Sequence, residues 1–396
     1  MTNTLLNFES SGYIEPALKV KNAKSYVVTN KGMKELMNMK GYMKMSNILT
    51  IGTGGCGNKL LESFLTILDN YEGLQSTYDG LFVNSNINEM SKLSHFNAQM
   101  NGLCISGNGT GRSPKKAKES IKLKRSKISN FFASRINNYE VVNIFSSADG
   151  GFGNGSITIM SNIIKRLKPN IDINLLIAMP KISSRKASLE NALDLYEDIL
   201  KLKEKDIINS ILFIDNDKMV SEDVFNEEVC RLYIESIELG NGALDSNDSK
   251  LVNSANGYKV ILELNNDMRT MQKAVDNSIS NSPFVTPSNF KCTHLGAVIV
   301  EEDFNKNEAI NMFNPKDFDK TDYGNKNIIV LGGCQLPNEH MNNLKNALEE
   351  LDNEDRIDEE IVFEGRRKDN KNVSQVKEKV MTKQSLRDML NDDFWD

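Results

Sequence analysis

Strands alternating with helices predict an α/β fold on a mostly parallel sheet, and three observations carry the prediction. Short apolar runs alternate with longer stretches that are apolar at helical spacing, from Asn47 to Leu351. Three glycine clusters each precede a helix-like run. After Gly240 and Gly242 the pattern restarts in different proportions, which marks a second, smaller α/β domain. The expected organisation is an extension over 1–45, a first domain over 46–216, a long central helix over 217–240, a second domain over 241–352, and a charged, disordered tail over 353–396.

In order, the segment 1–45 is Lys- and Met-rich, with a short helix expected in "KGMKELMNMKGYMKM". "NILTIG" (47–52) reads as a buried strand and 58–70 as a helix; "DGLFVNS" (79–85) is the second strand and 114–136 a long basic helix. "YEVVNIF" is a strand followed by the helix "SITIMSNIIKRLK", and 172–180 is a strand followed by "ASLENALDLYEDILKL". The strand 208–216 and the helix 224–239 complete the first half. The second half offers strands at 257–265, "CTHLGAVIVEE" and 327–334, with helices at "MRTMQKAVDNSIS" and 337–351.

The 396 residues suit two or three domains at roughly 100–200 residues each. A net charge of −6 excludes a global basic field for nucleic acid. Five scattered cysteines form no CxxC pair, so neither a disulfide framework nor a zinc site is expected, and a reducing, cytoplasmic compartment fits. Three separated histidines argue against a histidine-centred metal site or triad. The N-terminal residues lack a secretory pattern, and no apolar run approaches the ~20 residues of a membrane span.

The glycine clusters need a cause, because glycine costs about 0.5–1 kcal/mol relative to alanine in ordered structure. "GTGGCGN" (52–58) would bring backbone N–H groups and a helix N-terminus against an anion, with phosphate the usual tenant. Its GxGxxG spacing suits a dinucleotide fold, but Asn84, Ser85 and Asn86 stand where such a fold wants an acid for the ribose. "SGNGTGRSP" (106–114) and "DGGFGNG" (149–155) repeat the device. Three such loops on one side of the sheet can converge on one polyphosphate.

These motifs, in this order, resemble the tubulin/FtsZ superfamily, and the extension before the first strand looks most like its plasmid- and phage-borne branch. "GTGGCGN", "VNSN", "NGTGRSP" and "FIDNDK" look like its nucleotide loops. "DGGFGNG" looks like the signature GGGTGTG, and "GNGALDSNDSKL" like the catalytic loop GxxNxDxxD. The resemblance covers roughly residues 46 to 352. It implies a Rossmann-like GTPase domain that holds GTP or GDP, with Mg2+, through Gly54, Gly55, Cys56, Asn58, Asn86, Gly109, Thr110, Gly111, Gly150, Gly151, Phe152, Gly153, Asn154, Gly155 and Asn216. It further implies that Asp245 and Asp248 act on the nucleotide of a neighbouring subunit in a head-to-tail filament, and that the protein segregates plasmid or phage DNA. A DNA-binding adaptor engaged by the C-terminal tail would then contact the DNA, with no direct DNA or membrane contact.

The sequence departs from the signature at Asp149, Phe152 and Asn154, and Ala243 stands at the catalytic loop's asparagine. A non-polymerising nucleotide-binding regulator therefore stays open, as does a dinucleotide-dependent oxidoreductase. Asp245 and Asp248 are also suited to capping the helix "DSKLVNS". Phe225 is expected in the core, Arg185 on the surface, and the basic helix on a solvated or lateral face. Phe394 and Trp395 are suited to anchoring a partner.

Overall fold

The computed structural model describes residues 14–16, 26–28, 48–71, 77–107, 109–239 and 244–367. The helix expected within the N-terminal extension, the residues Gly240 to Ala243, and the tail from 368 onward lie outside the described residues. Residues up to Leu348 form one compact unit, and those from Glu349 are assigned to a second.

A short antiparallel pair, β1 (Ile14–Pro16) and β2 (Tyr26–Val28), comes first. Strand β3 (Ile48–Thr53) runs into α1 (Gly54–Asp69), and β4 (Tyr78–Asn84) into the short α2 (Ile87–Met90). After β5 (Gly102–Cys104) come α3 (Pro114–Leu123) and α4 (Arg125–Ala133). β6 (Val141–Ser147) leads to α5 (Phe152–Leu167), β7 (Asp172–Met179) to α6 (Lys186–Glu204), and β8 (Ser210–Asp215) to α7 (Glu222–Ile237). Then follow α8 (Ser246–Asn253), β9 (Gly257–Glu263), α9 (Met271–Asn281) and β10 (His294–Ile299). The last elements are α10 (Lys306–Phe313), β11 (Phe318–Tyr323), β12 (Ile328–Cys334) and α11 (Asn338–Arg367).

Ten strands form one sheet in the order β11-β10-β12-β9-β8-β7-β6-β3-β4-β5. From β9 to β5 every pairing is parallel. The six strands β3 to β8 lie in the doubly wound order 3-2-1-4-5-6, which reverses direction between β3 and β6. Strand β6 is buried along all its residues, as a strand covered by helices on both faces must be. The rings of Phe64 (α1), Phe145 (β6) and Tyr233 (α7) meet edge to face, with centroids 5.3–6.3 Å apart.

Several elements differ from expectation. The sheet is continuous across the expected boundary at 216 to 241, because β8 pairs with β9 through Ser210–Gly257 and Ile211–Tyr258. The basic helix is broken at Lys124 (φ −111°, ψ 17°), within an exposed run where like charges three residues apart oppose a continuous helix. The central helix spans Glu222–Ile237, shorter than expected, because the chain after β8 first makes a 3-10 turn at Asn216–Lys218. α11 continues to Arg367, into the segment expected to be disordered. No Gly or Pro occurs between Asn338 and Glu364 to stop it, and Leu, Glu and Arg favour helix.

Candidate functional site

In an open parallel sheet the ends of strands that diverge at the order reversal leave a crevice for ligands. Here those ends are Thr53 and Ser147, and the first and third glycine clusters stand there. The sequence suggested loops ahead of the helices, and part of each cluster is instead helical: α1 starts at Gly54 and α5 at Phe152, while Gly52 lies in β3 and Gly150 and Gly151 precede α5. Neither helix has a side-chain N-cap or an acidic residue in its first turn, so their terminal N–H groups have no side-chain acceptor. Gly54, Phe152, Gly153 and Asn154 are nonetheless buried, while in the first turn of α1 Gly55 is exposed and Cys56 half-buried. Uncapped helix N-termini offer free N–H donors, and an anion is the acceptor that the aligned dipoles favour.

The two termini touch. Gly54 holds φ +73°, and a Cβ placed on it would stand 2.7 Å from the backbone nitrogen of Gly153. Thr53 Oγ1 and Ser156 Oγ are 2.6 Å apart and tie the same two helices. The second loop closes on this pair: a Cβ on Gly151 would lie 2.5 Å from Thr110 Oγ1 and 2.7 Å from Arg112 Cα. Close backbone approach is therefore what the clusters supply, and the arrangement fits a polyphosphate. Gly109 and Gly111 have positive φ and open space around them, so this stretch of the second loop faces away from the core. Ser113 Oγ accepts from Lys116 N and caps α3, fixing the loop's far end.

The individual side chains are less uniform. Phe152, at the signature's first threonine, is 4% exposed and belongs to the core. Asn154 turns inward, donating from Nδ2 to Ala148 O at 2.6 Å and to Asn191 O at 2.8 Å. What these two could offer a ligand is backbone N–H only. Asn58 is buried, donating to Val83 O at 3.4 Å, with its Oδ1 unpartnered. Asn86 caps α2, and its amide donates to Glu89 Oε1 at 3.1 Å. Asn216 sits at the end of β8, on the same edge of the sheet but beyond β7. Burial, then the acids Asp149 and Glu222, push the half-buried Cys56 thiol up to about 12, which disfavours its thiolate. Phe225 is buried in the core as expected.

Two residues at the site escaped the sequence reading. Glu89 Oε2 lies 3.5 Å from the Cβ position of Gly55, held by Asn84 Nδ2 at 2.9 Å. The capping-box spacing Asn86 to Glu89 is the signal that would have found it. Asn191, on α6, bonds to Asp149 O and Arg112 O, and no local pattern announces it.

Asp245 and Asp248 stand at the other edge of the sheet. Asp245 borders a cavity of about 440 Å3 together with Ile48 and Val141, the first residues of β3 and β6. The length of β3 separates that edge from the glycine cradle, roughly 20 Å at ~3.3 Å per residue. Asp245 is exposed and caps α8, its Oδ1 accepting from Asn247 N and Asp248 N at 2.8 Å each. Asp248 lies 3.9 Å from Lys320 Nζ. The sequence-predicted residues thus fall into two groups at opposite edges of one sheet.

Known proteins sort this geometry. Residues 47–222 match the family described as Tubulin/FtsZ family, GTPase domain. The chain is 24% identical over 250 residues to the tubulin-like protein TubZ of Clostridium botulinum C phage, covering 62% of this chain and 66% of that one, just under two thirds of its length. The tail-truncated structure of Clostridium botulinum phage c-st TubZ superposes with a TM-score of 0.67 at 21% identity, over 78% of this chain and 97% of that one. A GTPγS-form protofilament structure of Bacillus thuringiensis serovar israelensis TubZ gives 0.67 at 17% identity, over 87% and 100%.

Proposed function

Since residues 47–222 belong to the tubulin/FtsZ family of GTPase domains, we propose that the protein binds GTP and stacks head to tail into a filament. Hydrolysis takes place where one subunit's acids meet its neighbour's nucleotide. The observation that carries this reading is the pair of uncapped helix N-termini in close backbone approach, through Gly54 and Gly153, at the sheet's reversal point. The family match and the GTPγS-form protofilament among the fold neighbours support guanine nucleotide as the anion and self-association as its consequence.

The α1 and α5 termini and the Thr110–Gly111 backbone would hold the phosphates. Among the described residues no three His, Cys, Asp or Glu side chains gather to hold an ion. Mg2+ would therefore rest chiefly on phosphate oxygens, with Asp149 the acid in the signature loop. Asp245 and Asp248 lie too far from their own cradle to act there, so a neighbour must present the substrate. Two backbone N–H groups hold the Asp245 carboxylate in one orientation, which suits a group that positions water. A contact of this heterologous kind, repeated without closure, makes a filament. Segregation of plasmid or phage DNA through an adaptor on the C-terminal tail follows from the resemblance, and the phage origin of the TubZ relative supports it.

The test combines light scattering, electron microscopy and phosphate release with GTP and Mg2+. Wild type should assemble and release phosphate. Asp245→Asn, which preserves the cap and removes the charge, should assemble while turning over at least about tenfold more slowly, a barrier increase of about 1.4 kcal/mol. No assembly with GTP overturns the filament, and undiminished turnover in the variant overturns the shared site.

A further inference from the structure

Two of the glycine loops are joined by a side chain on a helix that belongs to neither. Asn191 lies in the second turn of α6, and its Nδ2 donates to Asp149 O at 3.2 Å in the third loop and to Arg112 O at 3.4 Å in the second. Its own carbonyl accepts from Asn154 Nδ2 at 2.8 Å, and that amide also donates to Ala148 O at 2.6 Å. Asn154 is 3% exposed, so the inner half of this circuit is shielded from water. Four hydrogen bonds from two asparagines thereby connect the first turn of α5, the turn after β6, the body of α6 and the turn before α3.

The second loop depends on this connection. Gly107, Gly109 and Gly111 all have positive φ with no atom near their Cβ positions, so they provide little packing of their own. Arg112 is held at φ 59°, a left-handed conformation that a residue with a side chain keeps only where its surroundings impose it. Its carbonyl is the one that Asn191 engages. The placement of the Thr110 and Gly111 N–H groups therefore rests on Gly109 N, which donates to Ser85 O at 3.4 Å, on one side and on the Ser113 cap and Asn191 on the other.

We propose that Asn191 is a positioning residue that sets the gap between the second and third loops and thereby favours the longer of two polyphosphates. This rests on the reading of the loops as a guanine-nucleotide site. A short phosphate chain is served by the α1 and α5 termini, which touch each other without help from Asn191. Each added phosphate extends beyond that pair, and the second loop is the remaining set of donors. The polar substitution at Asn154 is then part of the same device, because its amide fixes the carbonyl side of Asn191.

Isothermal titration of full-length Asn191→Ala with GTPγS and with GDP, both with Mg2+, tests this. The expected result is a loss of about tenfold for GTPγS and under about threefold for GDP, with Asn191→Gln restoring part of the difference by keeping the donor. Hydrogen exchange of the ligand-free protein should show faster exchange at residues 110–113 in Asn191→Ala than in wild type. Equal losses for both nucleotides, or no loss, overturn the selectivity; unchanged exchange overturns the positioning role. If wild type binds neither nucleotide, the guanine-nucleotide reading fails and takes the selectivity with it, and the exchange measurement still decides whether Asn191 positions the loop.

Discussion

Gly54 and Lys259 show how single residues bear on site and stability in opposite ways. At Gly54 both φ and contact forbid a side chain, because a Cβ would fall 2.7 Å from Gly153 N and 2.9 Å from its Cα. Gly54→Ala should force α1 and α5 apart, weakening nucleotide binding by tenfold or more in titration, about 1.4 kcal/mol, and lowering the melting temperature. Lys259 is 1% exposed on β9, and its ammonium meets the Tyr233 ring at 4.4 Å. Burial pushes its pKa down from 10.5 to about 7. The unfolded chain therefore binds more protons than the folded one between those values, and stability rises with pH across that window. Below about 7 the penalty is complete. Lys259→Met should be more stable than wild type in urea melts at neutral pH, and the advantage should shrink as pH approaches 10.5. An advantage independent of pH would show that the ammonium is solvated in the fold.

Among the elements, α8 has two duties. It is fastened by Asn253 Nδ2 to Ser236 O at 2.7 Å, by Ser249 Oγ to Ile237 O, and by Lys250 to Glu140 at 3.0 Å. Asp245 caps it, so Asp245→Ala should cost about 0.5–2 kcal/mol in a denaturant melt while Asp245→Asn costs little. If hydrolysis instead follows stability across the two variants, the acid is a cap alone. The sequence showed Asp245 as a cap or as a catalytic acid, and the structure makes it a cap whose carboxylate is oriented and exposed. Helix starts were less legible, since glycines at 52–57 and 150–155 read as loops. Gly54, Gly55, Gly57, Gly153 and Gly155 fall in first turns, because two helix termini that touch need close backbone approach more than they need helix propensity.

For the whole molecule, the two groups of site residues lie on opposite edges of one sheet, and each edge carries exposed apolar side chains. Val220 is fully exposed and Val224 65% exposed, just after β8 on the edge of the cradle; Leu251 is half exposed on α8 at the other. Under head-to-tail stacking these face each other across the junction. Val220→Glu should then abolish GTP-dependent light scattering while leaving the nucleotide Kd within about threefold of wild type, less than 0.7 kcal/mol. Undiminished assembly would place the junction elsewhere. Among the described residues no helix is long and apolar enough to cross a membrane.

The sequence by itself determined the α/β alternation, the buried strands and the three glycine clusters, because hydrophobic period and glycine placement are local properties of a chain. It also carried the resemblance to the tubulin/FtsZ superfamily, which the match over residues 47–222 supports. Tertiary structure alone decided that β9 joins β8 in one sheet, that Asn154 turns away from the cradle toward Asn191, and that Asp245 lies a strand's length from the glycine clusters. Each depends on contact between residues distant in the chain, such as Asn154 with Asn191 and Ser210 with Gly257. No local pattern encodes such pairings, since they arise only when the whole sheet closes its register.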